Sequence, residues 1–202
     1  MNVPQLPLEL RVRRLKKKYP GIQLMPSEIV AIARALQSHD DCKFLVFGLG
    51  NDSPAWSELN RNGKTVFLED NPEWHSKISK QYTDLETYLV DYKTTIDQWQ
   101  SLLSSPDELK IELPDQLLSE EWDVILVDGP CGAKDWHLGE FGTLPPGRMT
   151  SIFMSSELCK TGGDVFVHDC EREVEDAYTK KHLANKTLVE EVNGRALLRH
   201  YQ

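Results

Sequence analysis

Residues 42–56, CKFLVFGLGNDSPAW, switch from the apolar run Phe44-Leu45-Val46-Phe47 to Gly48-Leu49-Gly50-Asn51-Asp52-Ser53. An unbroken apolar run that stops at two glycines and a cluster of small polar residues predicts a buried parallel strand delivering its end into a ligand loop. Glycines at 48 and 50 let a ligand come up to the backbone, so the loop reads as a nucleotide or nucleoside site. The third glycine of a dinucleotide fingerprint is replaced by Ser53, and the loop itself carries no Gly-Lys-Ser/Thr to make a Walker-type phosphate loop. The next apolar strand, residues 66–68, closes on Glu69-Asp70. An acid about twenty positions after the glycine loop, at the tip of the neighbouring strand, is placed to accept hydrogen bonds from ribose hydroxyls.

The 202 residues suit one domain, and a net charge of −9 argues against a broad electrostatic grip on nucleic acid. Cys42, Cys131, Cys159 and Cys170 stand far apart without a C-x-x-C spacing, which predicts reduced, mostly buried thiols and a cytoplasmic protein. No apolar stretch reaches the length of a membrane span. Residues 1–24 read as a basic lead-in carrying Arg11, Arg13, Arg14, Lys16, Lys17 and Lys18, and residues 25–202 as the working domain.

Within that domain, PSEIVAIARALQ predicts a packing helix capped by Ser27, and SPAWSELNRNG a short helix whose N-terminus points at the ligand. PEWHSKISKQY begins another helix at Pro72, with His75 exposed, and ETYLVDYKT reads as a third strand whose end edges the base pocket. Residues 95–121, broken by Pro106 and Pro114, predict a helix and a loop. Residues 124–127 form a further buried strand with Asp128 at its tip, facing the same crevice as Gly48 because ligands gather at the carboxyl ends of parallel strands. A carboxylate there must cap, bind a metal or move protons. The connection 131–147, with Lys134, Asp135, Trp136 and His137, is too long to be idle and reads as a substrate lid. RMTSIFMSSELCKTGG predicts a helix ended by Gly162-Gly163, and DVFVHDC a strand closing on His168-Asp169, with an amphipathic helix after it.

The chain then finishes in two strand-like runs joined by Asn193-Gly194, a strong hairpin signal. A mostly parallel sheet ending in an antiparallel hairpin, with a glycine loop that has no pyrophosphate to cradle, is the arrangement expected of S-adenosylmethionine-dependent methyltransferases. The fold class predicted is therefore α/β, a class I, Rossmann-like methyltransferase with a seven-stranded sheet.

The blocks FLVFGLGNDSPAW, FLEDNPEW, VDYKT, EWDVILVDGP, PPGRM and VFVHD, in this order over about residues 25–183, resemble those of the plant glucuronoxylan 4-O-methyltransferase family. The resemblance implies transfer of a methyl group from S-adenosylmethionine to the 4-hydroxyl of a glucuronic acid residue in a glycan, with a divalent metal ion as a further requirement. It implies that Gly48, Gly50, Asn51, Asp52 and Ser53 line the methionine and ribose, that Glu69, beside Asp70, holds the ribose hydroxyls, and that Tyr92 and Thr94 fall near the adenine. Asp128 would sit beside the reacting methyl, with Asp135, Arg148, His168 and Asp169 on the acceptor side. The chain departs from the family pattern in residues 129–134, where the connection is longer.

A sugar hydroxyl is a poor nucleophile at neutral pH, so a proton acceptor is required. Asp128, Asp169 or His168 takes the proton, or Asp128 and Asp169 hold a divalent cation that acidifies the hydroxyl. Arg148, with Lys134, would pair with the acceptor carboxylate. The alternatives are a methyltransferase for another small acceptor and a non-catalytic adenosylmethionine-binding module in polysaccharide assembly.

Overall fold

The computed structural model describes residues 6–202; the first five residues of the basic lead-in lie outside it. Two helices open the described chain, α1 (Leu8–Lys18) and α2 (Pro26–Ser38). Strand β1 (Lys43–Phe47) follows, then α3 (Ser53–Leu59), β2 (Lys64–Glu69), α4 (Pro72–Gln81) and β3 (Glu86–Leu89). Residues 95–121 hold only short pieces, including α5 (Trp99–Leu102) and α6 (Asp115–Leu118). Strand β4 (Trp122–Val127), α7 (Lys134–Phe141), α8 (Met149–Leu158), β5 (Cys159–Val167) and α9 (Glu173–His182) lead to the hairpin β6 (Leu188–Asn193) and β7 (Leu197–Tyr201).

The seven strands form one sheet in the order β3-β2-β1-β4-β5-β7-β6, parallel from β3 to β5, with β7 antiparallel to both neighbours. This is the mostly parallel sheet with an antiparallel end that the sequence predicts. Alternation along each strand sorts the core into two layers. Leu45, Phe47, Val66, Leu68, Ile125, Val127, Val165 and Val167 face α8, α9 and the 90–118 segment. Phe44, Val46, Phe67, Val124, Leu126 and Phe166 face α1 to α4. Val12 and Leu15 of α1 are buried in that second layer, so apolar contact ties the helical part of the basic lead-in to the sheet. Burial also pushes the Cys42 and Cys170 thiols up to about 12, which leaves them unreactive packing groups.

Several local expectations are corrected. Helix α2 is not capped by Ser27: Pro26 takes its first position, and the Glu28 carboxylate accepts the Met25 N–H at 2.6 Å. The Gly162-Gly163 pair does not end α8, which stops at Leu158. It lies inside β5, where Gly162 has φ +75° and the register against β4 shifts between Trp122 and Val124, a bulge that a residue with a side chain would strain. Strand β3 stops at Leu89, and Val90 continues the ladder by one bond to Glu69 O at 2.8 Å before the chain leaves the sheet.

The hairpin is present, but its turn is Gly194 to Ala196, closed by a 3.1 Å bond from the Gly194 N–H to Ala196 O. Gly194 does not have positive φ. A side chain is excluded there because a Cβ would fall 2.1 Å from the Glu28 carboxyl carbon.

Candidate active site

The parallel strands end level with one another, and one further backbone bond beyond each strand aligns the residues that follow. Gly48 N–H donates to Leu68 O at 2.8 Å, Asp128 N–H to Phe47 O at 3.0 Å and His168 N–H to Val127 O at 3.0 Å. Gly48, Asp128 and His168 are thereby held side by side at the carboxyl edge of the sheet, where the change in connection direction at β1 and β4 opens a crevice. The two central loops nearly touch: a Cβ on Gly129 would lie 2.8 Å from Gly48 Cα, and Gly48 itself has φ +121°.

Above β1 and β2 lie acids without a basic partner. Glu69 is buried, accepting the Leu49 N–H at 3.1 Å on one oxygen and the Asn71 N–H at 2.9 Å on the other. Burial, with the charge of Asp70 beside it, overrides those bonds and pushes its carboxyl up to about 7. Asp52 accepts the Trp56 indole N–H at 2.9 Å, and burial together with the charge of Asp128 raises it to about 6. Burial also raises Asp70. Ser53 is buried and its hydroxyl accepts the Gly50 N–H at 2.9 Å, which shapes the loop. Asn51 is exposed, and its side chain abuts Gly21 in the α1–α2 connection.

Above β4 and β5 the acids are paired. Arg148, just before α8, is buried, and its Nη2 contacts Asp128 Oδ1 at 3.2 Å while Nη1 contacts Asp169 Oδ2 at 2.8 Å. Its Nε, Nη1 and Nη2 also donate to the carbonyls of Pro130, His168 and Asp128 at 3.2, 2.8 and 3.0 Å. Four hydrogen bonds and the ion pair to Asp169 turn the guanidinium inward, so Arg148 acts as a tie between the β4 and β5 loops.

His168 lies among three carboxylates. Its Nε2 is 2.9 Å from Glu28 Oε1, and its Nδ1 is 3.2 Å from Asp128 Oδ1 and 3.5 Å from Asp169 Oδ2. Burial opposes the charged ring, but these acids outweigh it and push His168 up to about 11, so the ring is an imidazolium at neutral pH and cannot accept a proton. Burial would raise Asp169, yet His168, Arg148 and Arg172 hold it far below the usual carboxylate range. Asp169 also has φ +63°, a left-handed conformation uncommon outside glycine, kept by ion pairs at 2.8 and 3.1 Å to Arg148 and Arg172. Asp128 differs from both: its side chain is 28% exposed, and among the described residues its ion pairs and side-chain hydrogen bond fall on Oδ1, leaving Oδ2 without one.

Asp128, His168 and Asp169 offer ligand atoms within 4.8 Å of one another, the spacing of a cation site. The donors do not fit one. Asp128 Oδ1 and Asp169 Oδ2 are the oxygens that Arg148 holds, and the third donor is a protonated ring. A divalent ion at those oxygens would stand against the buried Arg148 guanidinium.

Tyr92 stands near the crevice, with Asp70, Glu69 and Arg148 close enough to act on its hydroxyl. The Tyr92 hydroxyl lies 3.1 Å from Ser151 Oγ, and the Thr94 hydroxyl donates to Pro146 O at 3.3 Å, so both anchor the segment leading into α8. Lys134 and Asp135 stand exposed on α7, outside the ion pairs of the cluster. That helix has no buried residue and exposes Trp136, Leu138 and Phe141, as a movable cover would. Glu28, Arg172 and Glu175 were not foreseen. In sequence Glu28 is an ordinary third helical residue, and nothing local signals that it meets a histidine 140 positions later.

The IRX15/IRX15L/GXM family model matches residues 27–111 and 106–201. Glucuronoxylan 4-O-methyltransferase 1 of Arabidopsis thaliana is 36% identical over 195 residues, covering 86% of this chain, and the chain spans 65% of that relative's length. Arabinogalactan O-methyltransferase 2 of the same plant is 34% identical over 190 residues, covering 82% of this chain and 62% of the relative. Among solved structures, precorrin-6y C5,15-methyltransferase of Geobacter metallireducens GS-15 superposes with a TM-score of 0.54 at 15% identity, covering 92% of each chain. That likeness concerns the fold, which is the class I methyltransferase arrangement.

Proposed function

We propose that this chain, which belongs to the IRX15/IRX15L/GXM family, is an S-adenosylmethionine-dependent O-methyltransferase acting on the 4-hydroxyl of a glucuronic acid residue in a glycan. The observation that carries the reading is Asp128 Oδ2, free of ion pairs among the described residues and fixed at the strand edge beside the Gly48 loop. The names of the relatives, one for glucuronoxylan and one for arabinogalactan, favour a glycan acceptor.

The residues above β1 and β2 fit the donor. Each oxygen of Glu69 accepts one backbone N–H and keeps a second lone pair for a ribose hydroxyl. Bound there, S-adenosylmethionine supplies an electrophilic methyl group on a positively charged sulfur. The surplus negative charge of Asp52, Asp70 and Glu69 suits a cationic ligand.

On the acceptor side Asp128 Oδ2 takes the proton of the sugar hydroxyl as the oxygen attacks in line. Arg148 and the His168 imidazolium hold Oδ1 and so aim the other oxygen. Glu28 keeps the imidazolium charged from behind. Residues 131–147, with α7, exclude water from the crevice when they close over it.

Replacing Asp128 with Asn tests the reading. Methyl transfer to a glucuronate-bearing xylo-oligosaccharide should fall by about 10²–10⁴-fold, while the affinity for S-adenosylmethionine, read by calorimetry, stays within a few-fold. Undiminished turnover removes Asp128 from the reaction, and no affinity for S-adenosylmethionine in the parent chain removes the activity.

A further inference from the structure

We propose that Arg172 and Glu175, at the start of α9, form the acceptor-recognition pair of the crevice, Arg172 taking the carboxylate of a uronic acid and Glu175 an adjacent sugar hydroxyl. The inference rests on the reading of the crevice as a glycan methyltransferase site.

A uronic acid needs a cation that can turn N–H groups toward it, and the Arg148 guanidinium is buried and turned onto internal acceptors. Arg172 has one side engaged and one side open. Its Nη2 pairs with Asp169 Oδ1 at 3.1 Å, which fixes the guanidinium one carboxylate away from Asp128 and His168. Its Nη1 is buried without a hydrogen-bond partner in the protein, the nearby Glu175 Oε1 standing off at 3.7 Å. The side chain as a whole is 33% exposed, so part of it is open to solvent.

Glu175 is 0% exposed, and neither carboxyl oxygen has a hydrogen-bond partner among the described residues. Buried polar atoms left unpaired are costly and rare in folded proteins, and a pair of them beside a site marks contacts that a ligand completes. Burial raises the Glu175 carboxyl, so the group is suited to exchange hydrogen bonds with a neutral hydroxyl.

Both groups lie under Gly132. A Cβ on that residue would come 2.5 Å from Glu175 Oε1 and 3.0 Å from Arg172 Nη1. Gly132 belongs to the neck of the 131–147 connection, which is closed by the Gly147 N–H donating to Cys131 O at 3.1 Å. Since α7 beyond it buries nothing, displacing this neck uncovers the pair next to the proposed base.

The test is binding of a xylo-oligosaccharide carrying one unmethylated glucuronic acid, compared with the same oligosaccharide reduced at the carboxyl to the alcohol, by calorimetry on the full chain. The parent should prefer the acid. Arg172→Gln should raise the Kd for the acid about 100-fold and leave the alcohol unchanged, with adenosylmethionine affinity intact. Arg172→Lys keeps the pair with Asp169 but loses the bidentate fork, and should weaken the acid about tenfold. Glu175→Gln should weaken both sugars, whereas Lys134→Gln should weaken neither. Equal discrimination in the parent and Arg172→Gln, or no binding of the acid by the parent, overturns the inference. Arg172-dependent binding without methyl transfer overturns the proposed activity and leaves the recognition pair standing.

Discussion

The two halves of the crevice contain the same kind of residue and treat it in opposite ways. Above β1 and β2, Glu69 is buried and Asp52 half-buried, neither forms an ion pair among the described residues, and burial pushes them up to about 7 and about 6. Above β4 and β5, Glu28, Asp128 and Asp169 are matched by Arg148, His168 and Arg172. There the shifts run the other way for Asp169 and Glu28, because the cations and amide donors outweigh the burial that opposes them. The contrast teaches that one half keeps its acids without cations, whereas the other ties three acids to three cations and leaves Arg172 Nη1 and Glu175 beside them. A donor that arrives cationic and an acceptor that must be held in line call for these two different environments.

The contrast breaks most severely if the central cation is removed. Arg148→Met removes the buried guanidinium that ties Asp128 to Asp169 and leaves only His168 between them, and should cost about 3–5 kcal/mol of stability in urea unfolding. A loss below about 1 kcal/mol would mean that solvent already screens the cluster.

Glu69→Gln probes the other half. The folded chain keeps a proton on Glu69 up to about 7, while the unfolded chain loses it near the ordinary value of 4.5. Between those values the unfolded state binds fewer protons, so the empty protein loses stability as pH rises from about 4.5 through about 7. Glu69→Gln should flatten that slope by about 1–3 kcal/mol between pH 5 and pH 8 and weaken adenosylmethionine about tenfold or more. An unchanged slope would show that Glu69 is solvated.

Glu28→Gln sharpens the comparison with the smallest effect. The raised His168 value stabilises the fold fully below its ordinary 6.5, and that stability is lost as pH rises through about 11. Removing one of the three carboxylates should lower the His168 titration by about one to two units, read by nitrogen NMR of the ring, with a stability loss of about 1–2 kcal/mol at neutral pH. A titration that stays in place assigns the imidazolium to Asp128 and Asp169 alone.

Much of this was legible along the chain. The apolar run ending at Gly48 and the acid at Glu69 identify two neighbouring strand ends, because strand burial and glycine conformation are local properties. Asp128 and His168-Asp169 were likewise recognisable as polar residues closing apolar strands. What each of them does was not. His168 reads equally well as a base or as a buried ring, and only the three acids around it decide that it carries a proton. Arg148 reads as a clamp for substrate until its buried guanidinium is traced to acceptors in the β4 and β5 loops. Gly194 illustrates the same limit: its place in a hairpin is visible in sequence, but the reason for glycine is the Glu28 carboxyl pressed against it.

The order of apolar runs, glycines and strand-end acids determined by itself that this chain forms a parallel sheet closed by a hairpin, with its chemistry at the carboxyl edge, since these depend on contacts between near neighbours and on side-chain periodicity. Which acids are charged, which cation holds them and which polar atoms remain unpaired was decided only in three dimensions. Charge and proton affinity depend on distance and burial, and residues 140 positions apart become neighbours only once the sheet has formed.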